Sequence, residues 1–423
     1  MPTYGRALAA LTLPTIALIA ACGGGGGGST GSPTSNLPTV TIGVIVPTSA
    51  DPYVAQFIKR GAQQGVNEAN SKGGITVGGH TYQLALKIYD DAGQVQQSAA
   101  AVDSAIHDGA VAILEDGLGA SISAAHSQAA GVPEIDIANG DVSLLDPQNR
   151  PSLFRLGIAN DAAANRLSAY ITQSIHTLAI LHDDTSSGRD GATQLTMALA
   201  TAGGVAGPNI EAASGAPTLD TQIQQITGSG AGGVVIWGTD SFVGKAVAAM
   251  HAAGVTLPLF AGPTGESPAV RAVAGNAATD GLRFVSSRMT SEADASSFGQ
   301  FEHRLAAAQG GPADAGFKNA AGEEIRQPND FDFYAYDAVN LVAAALKKQG
   351  SVQPGAGLIT AIGSVNVPSA NGDTRGFNPQ NHEGIADDDM YIAVIHDMQF
   401  TPVKDEQLSK TLPAVDQILG NFH

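Results

Sequence analysis

Four short stretches carry side chains whose types and spacing suit chemistry. "EDGLGASIS" (115–123) sets two serines behind two acids and two glycines. "LHDDT" (181–185) puts a histidine beside two carboxylates, "ADDDM" (386–390) is rich in oxygen, and "AACGG" (20–24) holds the only cysteine of 423 residues. Nucleophilic catalysis is the first chemistry to weigh. Ser121 and Ser123 lack the flanking glycines of a nucleophile elbow. His182, Asp183 and Asp184 suggest a metal site, but no second ligand cluster with metal spacing accompanies them, so they read as the polar end of a buried strand. Residues 386–390 lack the spacing and glycine of a calcium loop and read as a solvated turn. The "GLG" of 117–119 is not a dinucleotide fingerprint, because Ile122 stands at the third glycine position. Trp237 ends an apolar run and reads as core. No enzyme activity, cofactor or metal is expected.

Binding chemistry fits the same stretches better. Gly117 and Gly119 let a ligand approach the backbone closely. A helix begins around Ala120 or Ser121, and its free N–H groups and positive dipole end favour an anion such as a carboxylate. Ser121 is the best side-chain donor there, or else it caps its own helix. "DIANGD" (136–141) offers Ala138, Asn139 and Gly140. The Asn139 amide is a candidate ligand group, and an Asn-Gly turn without ligand contact is the alternative. Glu115 and Asp116 lie beside the first loop. They are either exposed at its rim or point inward, where they would repel an anion.

These loops need elements to hold them, and the chain supplies a repeated unit. "TVTIGVIV" (39–46) is a β-branched run bounded by prolines. After it, Asp51 is a plausible N-cap with Pro52 at the first helical position. Val54, Phe57, Ile58, Ala62, Val66 and Ala69 then follow helical spacing. The unit recurs: strands over 82–90, 110–115, 133–137, 152–156, 177–182, 232–237, 257–262, 281–285 and 390–396, and helices over 94–108, 119–130, 161–174, 187–202, 240–253, 295–308 and 331–350. Residues 309–327 read as an inserted polar loop. The strands are continuous apolar runs, as in a parallel sheet covered on both faces. Two series of units, divided near residues 154–161, imply two doubly wound α/β lobes.

Composition agrees. Apolar residues make up 43% and charged residues 14%, which suits globular lobes and not a disordered chain. A net charge of −18 disfavours nucleic-acid partners, which demand basic patches. One cysteine allows no internal disulfide.

That cysteine sits where a leader would end. Residues 1–6 carry one side-chain positive charge, Arg6, and residues 7–21 are mostly apolar. Such a run is shorter than the ~20 residues that span a bilayer and suits a secretory signal. Ile19-Ala20-Ala21-Cys22 resembles a bacterial lipobox, in which cleavage precedes the cysteine and its thiol carries lipid. Residues 22–38 would then be a Gly/Ser-rich tether. An ordinary signal peptide with Cys22 incidental is the alternative.

The order of motifs from residue 39 to 403 resembles a known family. "TIGVIVPTSADPY…RGAQQGVNEANSKGGI", "LKIYDDAG", "GVPEIDIAN", "LFRLGIANDAAA", "LAILHDDTSSGRDGA", "VVIWG" and "FDFYAYDAVNLVAAALKK" follow one another as in type I periplasmic solute-binding proteins, the leucine/isoleucine/valine-binding group of ABC importers. The resemblance implies two Rossmann-like lobes joined by a three-crossing hinge. It assigns 39–159 plus 286–370 to lobe 1 and 160–285 plus 371–423 to lobe 2. It also implies a small solute held between the lobes, such as an amino acid, amide or amine, and delivery to a permease and ATPase complex from a lipid-anchored periplasmic position. A ligand-sensing receptor of the same fold is the alternative function.

Residue by residue, the resemblance places Gly119, Ser121, Ala138, Asn139 and Gly140 at the ligand from lobe 1. From lobe 2 it places Ser187, Asp240 and Thr264 there. It also marks departures. Gly140 stands where the family has threonine, Ser187 where it has tyrosine, and Asp240 or Ser241 where an aromatic is frequent. Thr264 replaces a glutamate that pairs with the ligand ammonium. Gly93 and Leu118 occupy the positions of a family disulfide. Weak binding of leucine, isoleucine and valine is therefore expected, unless Asp240, Glu266 or Asp136 reaches the ammonium instead.

Overall fold

The computed structural model describes residues 37–287, 292–308, 330–386, 389–396 and 399–403. Cys22, the leader, the tether and the loop expected over 309–327 lie outside the described residues, as do Asp387 and Asp388 of the acidic run.

The first lobe runs β1 (Thr39–Val46), α1 (Pro52–Ser71), β2 (Ile75–Val77), β3 (His80–Asp90), α2 (Val95–His107), β4 (Ala112–Glu115), α3 (Ala120–Ala130), β5 (Glu134–Asp136) and β6 (Leu153–Arg155). Its six strands form one sheet in the order β2-β3-β1-β4-β5-β6. The sheet is parallel except where β2 meets β3. Asp51 starts α1 as its sequence suggests: Oδ1 accepts from the Tyr53 and Val54 N–H groups at 3.2 and 3.3 Å, with Pro52 behind it. Gly131, at φ 67°, turns the chain out of α3 in the left-handed conformation that glycine adopts without strain.

The second lobe runs α4 (Asn160–Ile171), β7 (Thr177–Asp183), α5 (Ser186–Thr201), β8 (Val205–Ala212), α6 (Asp220–Thr227), β9 (Gly233–Trp237), α7 (Asp240–Ala252), β10 (Leu259–Ala261), α8 (Pro268–Ala274), α9 (Asn276–Thr279) and β11 (Arg283–Ser286). The chain continues through α10 (Glu292–Ala308), α11 (Asp330–Gln349), α12 (Ala356–Ile362), β12 (Asn366–Pro368), β13 (Thr374–Gly376), β14 (Tyr391–His396) and β15 (Gln399–Pro402). The second sheet is ordered β15-β14-β11-β10-β9-β7-β8, with β14 antiparallel to β11 and to β15. The chain thus passes between the lobes three times: after β6, after β11, and between β13 and β14.

Central strands are buried on both faces. Ile42, Val44 and Val46 of β1 and Val234, Val235 and Ile236 of β9 are fully inaccessible to solvent, which is why they read as continuous apolar runs. β8 was not anticipated. Its "VAGPNIEA" buries only Ile210 and Ala212, and Pro208 is tolerated because the strand is an edge. The short helices α6, α8, α9 and α12 also escape a periodicity argument.

α11 returns to the first lobe and lies on α1. Arg60 grips Asp332 through Nε at 2.6 Å and Nη2 at 2.8 Å, with both side chains buried. Gly61 permits that approach, since a Cβ there would stand 1.9 Å from the Asp332 carbonyl oxygen.

Candidate binding cleft

The carboxyl ends of the two sheets face one cavity of about 100 Å³. The first lobe lines it with Val54, Asp116, Leu118, Ala138 and Asn139. The second lobe adds Thr185, Ser186, Ser187, Gly238, Thr239, Asp240 and Thr264, and Phe331 of α11 completes the wall. A smaller space of about 20 Å³ adjoins it. The two share Ala138, Ser187, Gly238, Thr264 and Phe331, and Gly140 and Glu266 line the smaller one. Ligands of doubly wound sheets bind at this position, beyond the strand ends.

On the second lobe, Asp183 at the end of β7 organises two loops. Oδ1 accepts from the Thr185 hydroxyl at 2.5 Å and from the Thr185 N–H at 3.2 Å, and Oδ2 accepts from the Thr239 N–H at 2.7 Å. It thereby fixes the first turns of both α5 and α7. Thr185 and Thr239 are the N-caps of those helices, accepting from Gly188 and Phe242. The sequence reading of His182 and Asp183 as a polar strand end matches this geometry; His182 Nδ1 lies 2.8 Å from the Asp183 carbonyl oxygen. Among the described residues no group of three or more histidine, cysteine, aspartate or glutamate side chains is arranged to hold a metal.

On the first lobe, Arg155 fixes the loop after β5. It is fully buried at the end of β6 and donates to the carbonyls of Asn139 and Asp141 at 3.1 and 2.8 Å, while also gripping Glu383. Asn139 is equally engaged. Its Nδ2 donates to the Gly117 carbonyl at 2.9 Å, and its Oδ1 accepts from the Asp141 N–H at 3.0 Å. Its amide therefore ties two cleft loops together while its edge lines the cavity. Gly140 leaves no room for a side chain, because a Cβ would lie 2.4 Å from Asn160 Oδ1 and 2.6 Å from the Ile158 carbonyl oxygen.

Of the eight positions expected at the ligand, Ala138, Asn139, Ser187, Asp240 and Thr264 line the main cavity, and Gly140 lines the smaller one. Gly119 and Ser121 line neither. α3 begins at Ala120, and Gly119 is pressed against α2, where a Cβ would stand 2.2 Å from Ser98 Oγ. That orientation turns Ser121 to solvent and Ser123 inward onto Glu134, at 2.5 Å. Ser121 does not cap α3 either, since the cap position is Gly119.

Glu115 corrects the rim expectation. It is completely buried in the sheet, with no hydrogen-bond partner for either oxygen. Burial, then the Glu134 carboxylate, pushes its pKa well above the usual range. Asp116 lines the cavity. Burial and the charge of Asp91, with smaller contributions from Asp136 and Asp51, raise its pKa as well.

Asp240 is the most unusual group in the cleft. It is 1% exposed, and neither oxygen meets a donor with hydrogen-bond geometry. Burial first, and Asp51 across the cleft second, push its carboxyl up to about 7; the neighbouring Ser267 hydroxyl offsets less than either. Of the other proposed counter-charges, Glu266 Oε1 accepts from the Asp330 N–H at 2.8 Å, and Asp136 Oδ1 accepts from Ala138 and Asn139 while its Oδ2 meets no donor. The Thr264 hydroxyl donates to the Gly238 carbonyl at 2.7 Å, so its proton is already engaged. Trp237 is core, 2% exposed, with Nε1 donating to Asn160 Oδ1 at 3.2 Å.

Sequence reasoning missed Phe331, Thr185, Ser186 and Thr239. The three hydroxyl residues directly follow strands β7 and β9, a position that signals a cleft loop. Phe331 gave no signal, because an apolar residue at a helix start reads as core.

The described residues are similar to several solved structures. A periplasmic binding protein type 1 from Bordetella pertussis Tohama I shares 20% identity with a TM-score of 0.72, covering 86% of this chain and all of the other. The branched-chain amino acid transporter substrate-binding protein LivJ from Streptococcus pneumoniae, solved with isoleucine, shares 18% identity at TM-score 0.71, over 87% and 100% of the two chains. A solute-binding protein of an ABC transporter from Rhodopseudomonas palustris, solved with benzoate, shares 17% at TM-score 0.70, over 87% and 98%. At such identities the likeness speaks for the fold. No curated protein matches the sequence. Residues 39–399, most of the chain, match the profile of the periplasmic binding protein family, and the chain belongs to that family.

Proposed function

We propose that the protein captures a small solute between its two lobes and delivers it to an ABC permease and ATPase complex, without catalysing a reaction. In this reading lobe 1 comprises residues 39–159 and 286–376 and lobe 2 comprises 160–285 and the chain from β14 on, so the boundary expected at 370/371, which would split the β12–β13 pair, moves past β13. The supporting observation is the cavity at the carboxyl ends of both sheets, lined by residues of each lobe. Its size points to a small solute. An engineered ~150 Å³ apolar cavity accommodates benzene, so about 100 Å³ suits a ligand of similar or smaller bulk. An amino acid, amide or amine of that size fits this reading.

A thermal-shift screen of amino acids, amides, amines and small carboxylates tests it. A ligand at a hundred times its dissociation constant stabilises by about 2.7 kcal/mol. No shift from any class would count against solute capture.

Residues 1–21 act as a lipoprotein signal in this reading, with Cys22 lipidated and 22–38 leading to the folded body, so the protein is anchored in the bacterial cell envelope facing the periplasm. The support is the Ile19-Ala20-Ala21-Cys22 sequence with six glycines behind it. No helix of the described residues is long and apolar enough to cross a membrane. In cell fractionation, Cys22→Ser is expected to move protein from membrane to soluble fractions; equal partitioning with wild type would remove the anchor from this reading.

A further inference from the structure

We propose that the solute is a small organic cation, an aliphatic amine whose ammonium is held by Asp240 of one lobe and Asp116 of the other. This rests on the solute-capture reading and deepens it.

The argument begins with charge. Asp116 and Asp240 both line the cavity, and among the described residues no lysine, arginine or histidine lines either the cavity or the space beside it. Asp51 caps α1 at the cleft and receives a 3.4 Å contact from Ser241, the residue after Asp240. Asp116 and Asp240 thus line one cavity from two lobes, with Asp51 beside Asp240 and no cation among the described lining residues. An isolated buried carboxylate is costly unless it is paired. Asp240 is 1% exposed, and the one side-chain donor beside it, the Ser267 hydroxyl, does not reach hydrogen-bond geometry. A cation entering the cavity supplies what it lacks.

The same geometry disfavours an anionic group. The family's carboxylate position at the start of α3 is not part of this cavity, because Gly119 packs on Ser98 and Ser121 faces solvent. The donors that do line the cavity belong to the first turns of α5 and α7, and the Asp183 carboxylate already binds the capping residues of both, Thr185 and Thr239. A ligand carboxylate there would share the cavity with Asp116 and Asp240 and add to their charge. Apolar walls at Val54, Leu118, Ala138 and Phe331 suit a short hydrocarbon body.

The experiment is calorimetry with matched probes on the folded protein. Isoamylamine is leucine without its carboxylate, isocaproate is leucine without its ammonium, and isocaproamide is the uncharged counterpart. Leucine and putrescine complete the set. The expected result is that an amine binds most tightly, with isocaproate at least ~30-fold weaker. Asp240→Asn is expected to weaken the amine by at least ~30-fold, the loss of one buried charge pair. Asp116→Asn should weaken it independently, and the thermal midpoint of each unliganded variant checks that it folds. Tighter binding of isocaproate or leucine than of either amine would overturn the cation assignment while leaving solute capture standing. Wild-type amine affinity in both variants would also overturn it. If none of the five probes binds, the assignment falls for amines of this size, whereas solute capture falls only if the broader thermal screen is silent too.

Discussion

At residue scale, Asp240 makes a prediction about the unliganded protein. Its carboxyl is raised from 3.8 to about 7 by burial and by Asp51. Between those values the folded state holds a proton that the unfolded chain has released. Stability therefore falls as pH rises from about 4 to about 7, and the penalty is constant above that. Asp136, raised to about 7, and Asp337, raised to about 6, act in the same direction. Asp240→Asn should flatten part of that slope and make the variant more stable than wild type above about pH 7. Urea titrations across the range decide it, and a wild-type slope retained in the variant would count against the assignment. This residue also shows how far a site is legible in a sequence. Its place after an apolar strand marked it as a cleft position, but burial without a partner is a property of the packed fold. The same limit applies to Ser121, whose type suited a ligand donor. The packing of Gly119 on Ser98 turned it to solvent, and no local pattern announces that contact.

At the scale of elements, the strands were read correctly wherever they form the two-sided interior, because burial on both faces leaves an unbroken apolar run. β8 failed that test as a half-exposed edge carrying Pro208. α11 was legible as an amphipathic helix, but its partner was not. Its seat on α1 depends on Gly61, two turns into a helix where glycine is otherwise unfavourable. The Asp332 carbonyl oxygen occupies the space a Cβ would need, at 1.9 Å. Backbone does not yield as a flexible side chain does, so Gly61→Ala must push the helices apart and strain the Arg60–Asp332 pair. The expected cost is about 1–3 kcal/mol, the range for overpacking. Gly73→Ala is a useful contrast: a Cβ there meets nothing within 4 Å, and only its left-handed φ of 95° is strained. Equal denaturation midpoints for Gly61→Ala and wild type would show that the contact is looser than this geometry.

At the scale of the whole molecule, the first connection was legible as a break in the βα series and the other two only through the family resemblance, while what ties them together was not. Arg155 at the end of β6 grips Glu383 in the third connection, with Nε to Oε2 at 2.9 Å, and His382 stacks on Phe154 at 4.1 Å between ring centres. Two of the three crossings are thus clamped side by side, and motion between the lobes is expected to be a rotation about this clamp. The cleft on its open side carries acids on both faces. Asp51 and Asp116, with Asp91 behind them, belong to the first lobe, and Asp240 with the Ser267 hydroxyl belongs to the second. Above about pH 7 Asp240 is charged, and like charges across a cleft walled by protein repel more strongly than in water. Protonation removes that repulsion and lets the Ser241–Asp51 contact hold the faces together. Asp51 and Asp116 are raised too, so they lose charge in the same direction. The unliganded protein is therefore expected to be more compact at about pH 5 than at about pH 8, and a bound cation should produce the same compaction at the higher pH by neutralising the same groups. Small-angle scattering measures both. Asp240→Asn should show a smaller difference between the two pH values, because one of the repelling charges is permanently gone. An identical radius of gyration for wild type at both values would mean that the acids do not set the distance between the lobes.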